Sequence, residues 1–191
     1  MLAGVAATPS LIMAQSEEVD AATAYTQNTR DVRIAALRSL YKINLNDKER
    51  ALVGQRCVGA QGLLRSIQSG LQSKKFDRAN TYTDIVDSLS AVRLQFDSKQ
   101  IDVSAIDLLI VNYQDKIAGF DGSITSYEIS LDDAIRVDCA RRPDDFRSAL
   151  EGVRAARKSI VEKSSDIQQI TKSDLKTTLD AISLKLVSGA N

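Results

Sequence analysis

The stretch from residue 103 to residue 134 leaves this chain the fewest ways to fold. Val103, Ile106, Ile110, Tyr113, Ile117, Phe120, Ile124, Tyr127, Leu131 and Ala134 follow one another in alternating steps of three and four. A strand places alternate residues on one face and cannot generate that spacing, whereas one side of a helix does so naturally. The pattern holds for about four heptads, the signature of long helices packed side by side. Gly119 and Gly122 weaken the helix locally, by about 1 kcal/mol each in an exposed interior, but do not interrupt the stripe.

Two further long helices flank this one. The first is expected from about residue 47 to 99, with Leu64, Ile67 and Leu71, then a polar interval, then Tyr82, Ile85, Leu89, Val92 and Phe96. The third is expected over 143–187, with Phe146, Leu150, Val153, Ile160 and Ile167 in its first stripe. Leu175, Leu179, Ile182 and Leu186 resume that stripe one position out of step, a stutter that locally unwinds a supercoil. The links are short and rich in capping chemistry. Gln100-Ile101-Asp102 offers Asp102 or Ser104 as a cap, and Pro143 suits a first helical turn whose dipole Asp144 and Asp145 complement. Short links force neighbours antiparallel. The expected fold is therefore all-α, an elongated antiparallel three-helix bundle with coiled-coil-like packing (about 47–99, 103–138 and 143–187) and a short extra N-terminal helix.

Outside the bundle, residues 1–16 are uncharged and mostly small or apolar, and Pro9 interrupts them. They read as the remnant of a secretion signal, with Ala14 and Ser16 as the small residues before a cut at Glu17 and no basic segment ahead of them. The other reading is a plain apolar tail. Residues 17–46 are expected to form a flexible arm, with a short helix from about Asp31 to Ile43 bearing Ile34, Leu37, Leu40 and Tyr41 on one side. Asn44-Leu45-Asn46-Asp47 then supplies turn and cap residues, and residues 188–191 form a tail.

Composition narrows the chemistry. With 25 basic and 25 acidic residues the net charge is zero, so the dominant basic field of a nucleic-acid binder is missing. The chain has no histidine, which removes the commonest general base, the usual nucleophile partner and the usual zinc ligand. The carboxylate pairs Asp132/Asp133 and Asp144/Asp145 are sequence neighbours, so on a helix they point apart and make no acid/base couple. The expectation is a non-enzymatic protein with no cofactor and no metal.

Two arrangements remain as candidate sites. Cys57 opens the first long helix and Cys139 follows the second. If the chain reverses near residue 100, they miss facing each other by about five residues, roughly 7–8 Å along the axis. An extended Val137-Asp138-Cys139 closes that gap, giving a disulfide and an oxidising compartment; two free thiols in a cytoplasmic protein are the other reading. The same register brings Lys74, Arg78 and Arg157 to one level, opposite Asp121, Tyr127 and Glu128. Such a layer is either an anion or ligand site between helices or a salt-bridged polar layer that fixes register, and the second is the more ordinary use.

Arg56-Cys57, Tyr82-Thr83-Asp84-Ile85, Val103 through Phe120, Asp138-Cys139 and Pro143-Asp144-Asp145-Phe146 with Leu150 and Arg154 together resemble a group of exported helical-bundle proteins of candidate-phyla-radiation (Patescibacteria-like) bacteria. The similarity covers about residues 50–187 and implies a helical-hairpin body in a periplasm-like space, at the cell surface or outside the cell. It implies no activity. The leading functional expectation is an exported structural or interaction protein presenting helical faces to a protein partner, to itself or to the envelope, with Leu108, Leu109 and Ile129 as a contact face. The second is a small-anion or lipid-binding module that uses the polar layer.

Overall fold

A computed structural model describes residues 26–188, with side chains described as far as Leu184. Residues 1–16, expected to be a secretion remnant, residues 17–25, the side chain of Leu186 and the last three residues lie outside that description. Within it the protein is all-helical, without a strand, and its helices pack against one another. Helix α1 covers residues 26–40, α2 Asp47–Asp97, α3 Ser104–Arg136, α4 Pro143–Gln169 and α5 Leu175–Ser188, with a π-helical turn Ile170–Asp174 joining the last two.

Local chemistry sets these boundaries. Asn46 caps α2 through a reciprocal capping box: its side chain accepts from the Glu49 N–H at 3.0 Å, and the Glu49 carboxylate accepts from the Asn46 N–H at 2.8 Å. Neither candidate cap of α3 occupies the cap position, which falls to Val103; Asp102 instead accepts the Ser104 N–H at 3.0 Å. Pro143 stands in the first turn of α4, where its missing N–H has no partner to lose.

Helix α3 is the spine. Its stripe is buried or half-buried from Val103 to Ala134. Cross-links between helices give the directions. Gln61 reaches Ala134, Lys75 reaches Glu128 and Arg93 reaches Asp107, so α2 runs antiparallel to α3. Lys116 pairs with Asp166 and Tyr113 meets Thr171, so α4 also runs antiparallel to α3. Helices α2 and α4 both pack on α3 and meet each other much less.

The end of the α2–α3 hairpin remote from residue 100 is held by several bonds. The Cys57 and Cys139 sulfurs lie at disulfide distance, with Cα atoms 5.8 Å apart. Val137 is extended (ψ 133°), as the closing of the axial gap requires. One turn along, buried Gln61 donates from Nε2 to the carbonyls of Ala134 at 3.1 Å and Val137 at 2.9 Å. Those carbonyls end α3 and have no helical donor of their own, so one side chain satisfies two groups whose unpaired burial would be costly.

Two expectations need correction. Residues 26–46 are not a loose arm. Ile34 is 0% exposed, Arg33 clamps the buried Asp133 carboxylate with two bonds of 2.8 and 2.6 Å, and Arg142 reaches back to Asp31 at 3.0 Å. The helix lies so close to α4 that a Cβ on Gly152 would stand 2.8 Å from Leu37 Cδ1. A weak apolar stripe hid this docking: Leu40 and Tyr41 stay exposed, and charges hold the helix instead.

The third helix is likewise not uniform. Buried Ile170 and buried Ile182 are twelve residues apart, one more than three helical turns contain. The π turn absorbs the surplus, and it falls where the sequence stutters. Deleting exposed Lys172 should therefore convert this turn to ordinary α-helix with Ile182 still buried, leaving Tm within about 3 °C of the parent by thermal unfolding. Deleting Asp115, in the uninterrupted α3, should lower Tm by about 10 °C or more, because it rotates half of the stripe out of the core.

Candidate functional site

A groove of about 550 Å³ lies between α2 and α4 over the middle of α3. Its floor is Phe120, Ile124 and Tyr127 of α3, positions fixed by the heptad spacing. Its walls are α2 from Ser66 to Arg78, a length of about 18 Å, and α4 from Arg157 to Val161. Two large apolar side chains on these walls face solvent, Ile67 at 47% and Val161 at 62% exposure.

The groove is also electrostatically one-sided. Lys74, Lys75, Arg78 and Arg157 line it, and no carboxylate among the described residues does. Arg78 is held in place: its Nη1 donates to Ser164 Oγ at 2.9 Å and its guanidinium lies 5.8 Å from the Phe120 ring centroid. That ring is set edge-on against Tyr82, with centroids 5.4 Å apart. Lys75 reaches the Glu128 carboxylate at 3.4 Å, and Gln72 donates to the same carboxylate at 2.8 Å. Lys74 and Arg157 make no ion pair among the described residues.

Of the six residues expected to form a polar layer, Lys74, Arg78, Arg157 and Tyr127 do share one site. Asp121 and Glu128 do not line it. The expected layer of neutralised charges is replaced by cations on an apolar floor, with Glu128 turned toward Lys75 and Gln72. The reason is register. Between Leu71 and Tyr82 the chain has eleven steps, which divide into threes and fours in more than one way. The structure puts Lys75 and Ala79 half-buried and leaves Lys74 on the groove wall. Sequence reasoning therefore missed Lys75 as the stripe lysine, and it missed Val161 and Ile67 as wall residues.

The expected contact face on α3 also fails as a single surface. Leu109 is core, at 6% exposure, while Leu108 is 72% exposed. Ile129 stands 21 residues further on, about 31 Å along the helix axis.

The other cluster of ionisable groups lies at the start of α4, and its roles are structural. The mostly buried Asp144 carboxylate accepts the Leu45 N–H and the Arg50 Nε, both at 3.0 Å, with Arg38 at 3.7 Å. Asp145 takes Arg142 at 2.6 Å and Arg38 at 3.6 Å. Burial alone pushes the Asp144 carboxyl upward, but the hydrogen bonds from Leu45 and Arg50 and the charges of Arg50 and Arg38 outweigh it and hold the group below the ordinary carboxylate range. Tyr113 is shifted the other way, raised by burial against a contact of its hydroxyl with Thr171 at 3.3 Å. Among the described residues no group of histidines, cysteines or carboxylates is placed to hold a metal ion, and no helix is long and apolar enough to cross a membrane.

With this geometry in hand, comparison with known proteins returns no matching family model, no matching curated protein and no matching solved structure.

A carboxyl whose folded pKa is depressed stabilises the fold above its unfolded pKa and loses that contribution as pH falls through the folded value. Asp144→Asn should thus lower stability by about 1–3 kcal/mol at pH 7, measured by urea unfolding. As pH falls through the depressed folded value of Asp144 the parent loses the same contribution, and the two proteins should converge.

Proposed function

We propose that this chain is an exported, non-enzymatic interaction protein, an elongated antiparallel three-helix bundle with coiled-coil-like packing that offers its helix faces to a partner protein or the cell envelope. The observation that carries this reading is on α2. Leu52, Leu63 and Ile67 are large, apolar and exposed, and their spacing of eleven and four residues aligns them on one side of the helix. That stripe leads into the groove, where Ile67 is already a wall residue. An exposed apolar row along one side of a helix is what a partner helix packs against.

The export component draws support from the cysteine pair, since disulfides persist in oxidising compartments. A second reading, a small-anion or lipid-binding module, is favoured by one specific observation: among the described residues the groove is lined by cations and by no carboxylate.

Photo-crosslinking in the producing cell tests the interaction reading. A crosslinker at Leu63 should give a discrete protein adduct, and one at Leu94, exposed on a different side of α2, should not. A monomeric protein without a discrete adduct at Leu52, Leu63 or Ile67 defeats it. Intact mass with and without reduction tests export: the mature chain should begin at Glu17 and gain two hydrogens when reduced. An uncut chain with two free thiols removes both the bond and the compartment.

A further inference from the structure

We propose that the groove between α2 and α4 binds a single-chain anionic amphiphile, a free fatty carboxylate, with the alkyl chain on the α3 floor and the headgroup between Lys74 and Arg157. This rests on the second reading above, the lipid-binding one, and names its ligand class.

Size comes first. A groove of about 550 Å³ falls within the ~300–1,000 Å³ that houses a small ligand. Its α2 wall runs for about 18 Å, which suits an extended chain rather than a compact anion. The surface chemistry is divided in the way an amphiphile is divided. Phe120, Ile124 and Tyr127 close the floor, and Ile67, Ile160 and Val161 add apolar surface on the walls beside the cations.

Charge decides the sign of the headgroup. A neutral amphiphile would leave Lys74 and Arg157 without a counter-charge, and a cationic one would be repelled by the four cations that line the groove. Two of the four already have work to do: Lys75 is paired with Glu128, and Arg78 is fixed by Ser164 and the Phe120 ring. Lys74 on α2 and Arg157 on α4 have no ion pair among the described residues, and they reach the groove from opposite walls. A planar guanidinium and a mobile ammonium lining one groove are suitable donors to a carboxylate.

The test is titration of the full-length protein with laurate below its micelle concentration, followed by calorimetry. Saturable binding of one laurate per chain is expected, with dodecanol at least tenfold weaker and dodecyltrimethylammonium not bound. Lys74→Glu combined with Arg157→Glu should weaken laurate at least tenfold, as should Val161→Asp, which changes an exposed wall residue and spares the core. Lys158→Glu, on α4 but outside the groove, should leave binding unchanged. Circular dichroism of each variant excludes unfolding as the cause.

Absence of saturable binding overturns the proposal, as does equal binding of the cationic amphiphile or indifference to both groove variants. Binding only to phosphatidylglycerol vesicles, with no response to free laurate, also overturns it and assigns the groove to a membrane surface. Phosphate binding that matches laurate would keep the second reading as a small-anion site while removing the amphiphile. The adduct at Leu63 reports on the partner-protein reading separately, because it does not depend on ligand in the groove.

Discussion

Everything in this molecule is arranged around one apolar stripe on one helix. The row on α3 from Val103 to Ala134 is too wide to be covered by a single neighbour, and α2 and α4 share the task from two sides. The short links set the helix directions, and burying Phe120, Ile124, Tyr127 and Leu131 fixes the line along which the helices meet. The groove is the residue of that solution. Over the middle of the stripe the space between α2 and α4 is flanked by long basic side chains instead of being filled by a third apolar row.

The two ends of the bundle are secured by different means. At the residue-100 end a short link and the ion pair of Arg93 with Asp107 suffice. At the other end α1, the start of α2, the end of α3 and the start of α4 converge, and polar chemistry replaces apolar packing. Asp144, Asp145 and Asp133 each engage at least one arginine from a distant part of the sequence, Gln61 closes the end of α3, and the cysteine pair spans the same helices. Exposed ion pairs contribute little singly, but these involve largely buried carboxylates with several donors each, where loss of one partner leaves an uncompensated charge.

The helical body was legible because its signal is periodic and long. The α3 stripe, the Asn46 and Pro143 starts, the antiparallel pairing and the closeness of Cys57 to Cys139 all follow from spacing. What was not legible depends on choices that spacing leaves open. Eleven steps between Leu71 and Tyr82 do not decide between Lys74 and Lys75, and that single position separates a neutralised layer from a cationic groove. The docking of α1 was hidden for another reason. Its one fully buried side chain, Ile34, carries no periodicity, and its arginines find partners about a hundred residues away that no local pattern announces. The stutter near residue 170 was visible, but only the structure shows that the backbone absorbs it with a wider turn.

The placement of α1 and α5 has a mechanical consequence. Helix α1 is fastened where α3 ends and α4 begins, whereas α5 lies beside the far half of α2, near Ile85 and Leu89. The two outermost described segments therefore sit at opposite ends of the long axis. A pull applied through them would act along the helices and would have to slide α4 past α3 over many side chains at once. Bundles loaded from one end peel apart layer by layer; this one is loaded in shear, the direction in which interlocked helices hold best.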